Sequence, residues 1–235
     1  MSTIAPEEIT AGSAPETVLQ WAYATFPRVV IVASFQAESS VLIDMASRIR
    51  GDVRVLTLDT GRLPQATYDM IDRVRERYSI DVQVVAPDPA DLEEMVGRHG
   101  VNLFYRSPEG RRLCCDVRKS RPLARALQGY DAWITGVRRQ QAATRAGTAV
   151  VGPDPAHDGM TKIAPLASWS KDQVWAYIRE HDLPYHPLYE RGYTSIGCEP
   201  CTRATSAGED ERAGRWWWEQ GEVKECGLHW SGKAL

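Results

Sequence analysis

Residues 29–49, with the sequence VVIVASFQAESSVLIDMASRI, predict the fold of this chain. They open on the β-branched apolar run from Val29 to Ala33, a pattern typical of a strand that is buried on both faces. A polar loop from Ser34 to Ser40 follows, and apolar residues then recur at helical spacing from Val41 to Ile49. Strand, loop and helix in this order form the repeating unit of parallel α/β sheets.

The same unit recurs along the chain. We expect further strands at residues 53–58, 82–86, 132–135 and 162–164, and helices at 15–25, 64–78, 89–96, 116–127 and 170–181. This alternation predicts an α/β fold with a doubly wound parallel sheet, in which ligands bind beyond the carboxyl ends of the strands. After His181, prolines and glycines interrupt any regular period. We therefore predict one domain over residues 1–202 and a mobile C-terminal tail over residues 203–235.

Composition excludes several classes of protein. The chain has 235 residues, of which 43% are hydrophobic and 25% charged, so it is neither disordered nor a small disulfide-stapled scaffold. The longest apolar run has five residues, and the first ten residues lack the basic head and apolar stretch of a signal peptide. We expect a cytoplasmic protein without membrane contact. A net charge of −3 also argues against nucleic-acid binding.

Basic residues are concentrated in one part of the chain. Residues 103–145 contain ten basic and three acidic side chains, whereas the remainder of the chain is acidic. Such a block is either a solvated helix face or the binding site of a compact anion. Because it surrounds an adjacent cysteine pair, we favour the anion site.

Four of the five cysteines form two close pairs, Cys114 with Cys115 and Cys198 with Cys201. An odd number of cysteines without a signal peptide indicates working thiols or metal ligands rather than structural disulfides. Zinc sites usually use two C-x-x-C pairs around one ion, whereas adjacent helical cysteines point their sulfurs apart. This divergence favours an iron–sulfur cluster, and a zinc site remains an alternative.

The fifth cysteine, Cys226, lies between Lys224 and His229 near the C-terminus. Cationic neighbours and exposure are what a reactive thiolate needs, so we interpret Cys226 as a nucleophile rather than an incidental terminal cysteine. The loop from Ser34 to Ser40 is a possible phosphate or sulfate site, although its hydroxyls could equally cap the helix. The Walker pattern is absent, which argues against a P-loop hydrolase.

Seven motifs together resemble one enzyme family. They are Ser34-Phe35, Leu58-Asp59-Thr60-Gly61, Cys114-Cys115-Asp116-Val117-Arg118-Lys119, Thr135-Gly136-Val137-Arg138-Arg139, Gly197-Cys198-Glu199-Pro200-Cys201-Thr202-Arg203, Gly214-Arg215-Trp216-Trp217-Trp218-Glu219 and Lys224-Glu225-Cys226-Gly227-Leu228-His229. This set resembles the assimilatory sulfonucleotide reductases, and within them the iron–sulfur adenylyl-sulfate reductases.

The resemblance implies an adenine-nucleotide α-hydrolase-like fold and a [4Fe-4S] cluster on Cys114, Cys115, Cys198 and Cys201. It also implies substrate-binding roles. Ser34 would lie in the nucleotide loop and Thr60 and Gly136 near the adenosine, whereas the residues expected to face the phosphosulfate are Lys119, Arg138, Arg145, Arg212, Arg215 and His229. The ancestral Ser-Gly-Gly-x-Asp-Ser loop reads Ser-Phe-Gln-Ala-Glu-Ser over residues 34–39, so its glycines are missing. This departure suits an enzyme that binds the nucleotide without cleaving ATP.

The chemistry implied by the family is reduction of adenosine 5′-phosphosulfate (APS) to sulfite and AMP, with Cys226 carrying an S-sulfonate that thioredoxin or a glutaredoxin-like protein resolves. We expect no nucleic acid among the partners, and a homo-oligomer is possible. Three alternatives stay open. They are a reductase that accepts or prefers 3′-phospho-APS (PAPS), an ATP-dependent tRNA-thiolating enzyme, and a non-catalytic regulatory module with a cluster or zinc.

Overall fold

The computed structural model describes residues 9, 10, 12–220 and 225. Its centre is a six-stranded sheet in the order β3-β2-β1-β4-β6-β5. The strands are β1 (Val29–Val32), β2 (Val55–Leu58), β3 (Val82–Val85), β4 (Ala132–Thr135), β5 (Val151–Asp154) and β6 (Met160–Ile163). All neighbouring strands pair in parallel except β5 and β6, which are antiparallel.

The described residues form seven α-helices. They are α1 (Pro15–Thr25), α2 (Ala37–Ile49), α3 (Gln65–Tyr78), α4 (Pro89–His99), α5 (Pro108–Cys115), α6 (Arg121–Leu127) and α7 (Lys171–Glu180). A π-helical turn, Asp116–Ser120, joins α5 to α6. The described residues contain no helix with the length and apolar character that a bilayer crossing demands.

Both faces of the sheet are covered, as the buried strand pattern predicts. Val29 and Ile31 of β1 belong to a core shared with α1, α2, α3 and α7, whereas Val30 packs with Leu123 and Leu127 of α6 on the opposite face. Successive residues of a strand point to opposite sides, so one buried strand supplies both cores. The expected doubly wound α/β fold is confirmed.

Several element boundaries differ from the prediction. Helix α2 begins at Ala37, so the polar loop predicted over Ser34 to Ser40 is shorter, and Ser39 and Ser40 lie in the first turn of the helix. Strand β5 was not predicted, because its sequence VGPD lacks an apolar run and Pro153 is typical of a strand edge. The sheet is consequently parallel in five strands and antiparallel at its β5 edge.

The helix predicted over residues 116–127 begins earlier, as α5, and changes its hydrogen bonding at the π-helical turn. Pro122 has no N–H to donate and its ring conflicts with the carbonyl four residues earlier, so regular α-helical bonding cannot run unbroken through this point. Cys114 and Cys115 are the last two residues of α5. The chain therefore presents the cysteine pair just before an irregular turn.

Residues 203–220, in the segment predicted as a tail, pack on the rest of the fold. Thr202 and Arg215 form an antiparallel bridge, and the Trp216 N–H donates to the Cys201 carbonyl at 3.1 Å. The Trp216 side chain is fully buried. The domain boundary at residue 202 and the mobility of the tail stay predictions.

Candidate functional site

A large cavity lies at the carboxyl ends of β1, β2 and β4, where ligands of open parallel sheets bind. Val32, Leu58 and Thr135 are the last residues of these strands, and each lines the cavity. Seven of the predicted substrate-binding residues meet there: Ser34, Thr60, Lys119, Gly136, Arg145, Arg212 and Arg215. The topology thus brings residues from distant parts of the chain into one site.

The loop after β1 is held by its own side chains. The Ser34 N–H donates to the Ser39 hydroxyl at 3.1 Å, and the Gln36 amide donates to the Ser34 hydroxyl at 3.1 Å while accepting from the Ile196 N–H at 2.7 Å. The Ala37 N–H, at the start of α2, donates to the Tyr189 hydroxyl at 3.1 Å. These groups are bonded within the protein, whereas a glycine-rich pyrophosphate loop keeps such donors for its ligand.

Phe35 occupies the position of the first missing glycine. Its backbone is in the left-handed region with φ of 55°, and its side chain is fully buried. Aromatic residues rarely adopt this conformation, so the loop keeps the glycine backbone geometry while a buried ring fills the space beneath it. The anchored ring makes this loop a fixed wall of the cavity.

Among the predicted substrate-binding residues that the structure describes, Arg138 is the one that the cavity lining does not include. Its buried guanidinium donates to Glu38 at 2.7 Å and to Glu211 at 2.9 Å. Burial lowers the pKa of Arg138, but the two carboxylates more than offset it and raise the pKa above its ordinary value. Glu38 and Glu211 line the cavity, so Arg138 acts on the site through them.

The four paired cysteines line a second, smaller cavity. Cys114 and Cys115 come from the end of α5, whereas Cys198 precedes the 3-10 turn Glu199–Cys201 and Cys201 ends it. Phe104 and Trp216 supply apolar walls, and the cations at its surface are Arg62, Arg111, Arg118 and Lys119. Within the described residues, no three or more Cys, His, Asp or Glu side chains are gathered closely enough to hold a single metal ion.

The thiols differ in how readily they ionise. Burial raises the pKa of Cys201 to about 11 and also raises the pKa of Cys114. Burial has the same effect on Cys198, but the charge of Lys119 and a hydrogen bond from Thr60 outweigh it, so the pKa of Cys198 is lowered. The cations around the cavity favour thiolates, whereas its apolar surroundings keep Cys114 and Cys201 protonated in the absence of a positively charged ligand.

Two residues connect the cavities. Lys119 lines both of them. Thr60 lines the large cavity, and its hydroxyl lies 3.2 Å from the Cys198 sulfur. The Thr60 carbonyl also accepts a 2.6 Å hydrogen bond from Arg118, which lines the cysteine cavity. A charge on the cysteines and a charge in the large cavity would therefore both lie close to Lys119 and Thr60.

The buried side chain of Arg215 packs against the backbone of Gly197, which has no side chain. A Cβ added to Gly197 would lie 2.2 Å from Nη2 of Arg215, so glycine provides the space that the guanidinium fills. Arg215 donates to the Ile196 carbonyl at 3.3 Å and stacks over Trp216 with its Cζ 4.8 Å from the ring centre. Its Nε has no hydrogen-bond partner among the described residues. The position offers a buried cation to the cavity.

The predicted nucleophile Cys226 and the predicted substrate-binding residue His229 lie outside the described residues. The residue before Cys226 is described. Glu225 is buried, and its carboxylate accepts from Arg145 and Arg212, which line the large cavity.

The prediction did not include Glu225, Gln36, Glu211 or Trp216 as site residues. Glu225 and Trp216 belong to the quoted motifs, but an acidic residue beside a proposed anion site and an apolar ring carry no sequence signal for such a role. Gln36 lies in the loop from Ser34 to Ser40 that the sequence singled out, but its own role was not predicted, and Glu211 joins the site through the folded chain.

Comparison with known proteins gives the family. Residues 28–204 match the phosphoadenosine phosphosulfate reductase domain. The chain belongs to this family. It is 50% identical to an adenosine 5′-phosphosulfate reductase of Allochromatium vinosum over 201 residues, which covers 86% of this chain and 78% of the relative.

Solved structures agree on the fold. A phosphoadenylyl-sulfate (PAPS) reductase from Candida auris, in a phosphate complex, superposes with a TM-score of 0.70 at 29% identity and covers 85% of this chain and 98% of that one. A Candida glabrata FMN adenylyltransferase in complex with FMN and an ATP analogue shares the fold, with a TM-score of 0.56 at 14% identity, over 90% of this chain and 74% of that one. The expected adenine-nucleotide α-hydrolase-like fold and the resemblance to sulfonucleotide reductases are confirmed.

Proposed function

We propose that this chain is an oxidoreductase of sulfate assimilation that reduces APS to sulfite and AMP. The observation that carries the proposal is the pair of adjoining cavities: a cation-lined cavity at the carboxyl ends of the strands shares Lys119 with a cavity lined by four cysteines. Membership of the family and 50% identity to a relative named adenosine 5′-phosphosulfate reductase support it.

The residues of the large cavity suit a nucleotide with an anionic sulfate end. Thr60 and Gly136 would contact the adenosine side, and Lys119, Arg145, Arg212 and Arg215 would face the phosphosulfate. Guanidinium groups recognise such oxyanions through charge-assisted hydrogen bonds, and buried ones stabilise charge that builds up during transfer. His229 keeps its predicted role in this proposal, whereas Arg138 acts through Glu38 and Glu211 and not by facing the phosphosulfate.

The proposed transfer starts at Cys226. Its thiolate attacks the sulfur of the sulfate group, a bond forms between the two sulfur atoms, and the bond from that sulfur to the phosphate oxygen breaks. The electron pair leaves with AMP, and the enzyme holds an S-sulfocysteine. The cations of the cavity stabilise the negative charge that moves onto the phosphate.

Release of sulfite needs two electrons from outside the chain. A donor thiolate attacks the Cys226 sulfur and expels sulfite, and the second donor thiol then frees Cys226 while the donor becomes a disulfide. The other four cysteines lie together in their own cavity, so we propose a dithiol protein such as thioredoxin or a glutaredoxin as the donor. The reaction and its donor are typical of the cytoplasm.

The donor set of the second cavity fits the implied [4Fe-4S] cluster. Cys114, Cys115, Cys198 and Cys201 line one small cavity, and four cysteine thiolates are the ligand set that such a cluster takes. When bound, the cluster would place a compact negative group beside Lys119 and would change the electrostatic field that Lys119 contributes to the large cavity. The protein's part is to hold the four thiolates and to exclude water through Phe104 and Trp216.

A sulfite assay tests the proposal. Protein purified without oxygen is incubated with thioredoxin, its reductase and either APS or PAPS. We expect sulfite and AMP from APS in multiple turnovers. A preference for PAPS, which the name of the Candida auris reductase makes the second candidate, would change the substrate, and no sulfite from either nucleotide would contradict the proposed function.

A further inference from the structure

We propose that Glu225 is a positioning residue that docks the Cys226-bearing segment onto two arginines of the large cavity. The inference rests on the proposed function, because it gives Glu225 a part in the same transfer. Cys226 is the next residue in the chain, so whatever fixes Glu225 restricts where the nucleophile can start.

The carboxylate of Glu225 is held from several directions. Arg145 donates to it through Nε at 2.9 Å and through Nη2 at 2.8 Å, which is a bidentate contact. Arg212 donates to the same carboxylate at 2.9 Å, and the Thr144 hydroxyl adds a bond at 3.3 Å. Such paired charge-assisted bonds fix direction as well as distance.

The backbone of Glu225 is held independently. Its carbonyl accepts a 2.9 Å hydrogen bond from Arg111. Arg111 is itself buried, forms an ion pair with Glu219 at 2.6 Å and lies over Trp216, with its Cζ 4.5 Å from the ring centre. Side chain and main chain are thus attached to different parts of the fold, so this residue is fixed in orientation.

Arg145 and Arg212 line the cavity and bind Glu225 at the same time. The carboxylate therefore neutralises part of the positive charge that an incoming oxyanion would meet. Arg215, on the same cavity, has no carboxylate partner among the described residues and keeps its charge for the ligand. Arg145 and Arg212 thus divide their charge between Glu225 and the incoming anion, whereas Arg215 offers its charge to the anion alone.

This division predicts a separation of binding from transfer. In Glu225→Gln the carboxylate charge is lost, so the segment is released while the two arginines gain net charge for the substrate. We expect APS to bind as tightly as before or more tightly, whereas the first-turnover rate of S-sulfonation falls by roughly 10²-fold, the cost of a misplaced reacting group.

Three measurements on the full chain test the proposal. The first-turnover rate of S-sulfonation with APS is compared between wild type and Glu225→Gln. The Kd for APS is measured with Cys226→Ser present in both chains, so that no turnover occurs. Hydrogen exchange of the peptide around residue 225, without nucleotide, is expected to be faster in Glu225→Gln.

The matched control is Glu209→Gln, which removes a carboxylate from an exposed ion pair with Arg203 and is expected to leave all three readouts unchanged. Glu225→Asp keeps the charge and should recover part of the rate. If Glu225→Gln fails to fold, Arg212→Gln removes one charge partner, and faster exchange of the same peptide is expected.

The proposal is overturned if the Kd rises while the first-turnover rate stays the same, or if exchange at residue 225 does not change. Failure of the proposed function looks different. Wild-type chain would then form no S-sulfonate with APS, while the exchange measurement would still report whether Glu225 holds the segment.

Discussion

Gly197 determines where the side chain of Arg215 can lie in the candidate site, because it has no side chain of its own. The guanidinium occupies the space that a Cβ at position 197 would need, and because it is buried and stacked on Trp216 it can make room only by giving up these contacts. The presence of glycine here reflects a close approach of a cation to the backbone.

We predict that Gly197→Ala displaces Arg215 and lowers kcat/KM for APS by about 10-fold or more, since the proposed role of this cation is to face the transferred group. Steady-state kinetics measure the effect. Gly129→Ala is the control, because a Cβ there meets nothing within 4 Å, and it should keep wild-type kcat/KM. Equal kinetics for both variants would show that the placement of Arg215 does not matter.

At the scale of elements, His186 joins α3 to the 3-10 turn Pro187–Arg191. Its Nδ1 accepts the Leu188 N–H at 3.3 Å, and Nε2 lies 3.0 Å from the Thr67 hydroxyl, so the ring is neutral with its proton on Nε2. Desolvation by burial lowers the pKa of His186 from 6.5 to about 4. Protonation would remove the acceptor that Leu188 uses.

Acid should therefore destabilise this connection. Below pH 6.5 the unfolded chain takes up a proton that the folded chain refuses until about pH 4, so the free energy of unfolding falls across this window, by at most about 3 kcal/mol. Urea unfolding at pH 7 and pH 4.5 measures it. In His186→Gln the fall should be smaller, whereas the exposed control His99→Gln should behave as wild type. An unchanged pH dependence in His186→Gln would contradict the prediction.

The cysteine cavity depends on two separate elements, the end of α5 and the turn Glu199–Cys201. We predict that protein purified without oxygen is brown and carries about four irons per chain, and that Cys114→Ser or Cys201→Ser loses them. Iron analysis and visible absorbance check this, with Cys226→Ser as the control that keeps the iron. Stoichiometric zinc without visible absorbance would favour the zinc alternative.

At the scale of the whole molecule, the sequence predicted the sheet because its buried strands are short apolar runs, such as Val29 to Ala33, with helical periods between them. Strand β5 was missed because an edge strand with Pro153 carries no apolar signal. The early start of α2 at Ala37 was missed because the first turn of this helix is polar, although its side chains are buried.

The sequence predicted those parts of the candidate site whose chemistry follows directly from the residue types, namely the cysteine pairs and the basic block. The sequence did not predict which opposite charges the fold would bring together. Arg138 reads as an anion-binding residue in the sequence, but in the structure Glu38 and Glu211 take its bonds. Glu225 lies in a quoted motif, yet its bond to Arg145 spans eighty positions of the chain.

The central claim is that Cys226 is the nucleophile that attacks the sulfate group of APS bound in the large cavity. We predict that Cys226→Ser keeps the cysteine cavity and nucleotide binding yet makes no sulfite, because none of the four described cysteines lines the large cavity. Nucleotide binding and iron content serve as its controls.

Peptide mass spectrometry of wild-type protein incubated with APS, without thioredoxin or another thiol, tests this claim most directly. The account predicts that the reaction stalls with one sulfonate per chain, mapped to Cys226. A sulfonate mapped to any other cysteine, or multiple turnovers without an added thiol, would contradict it.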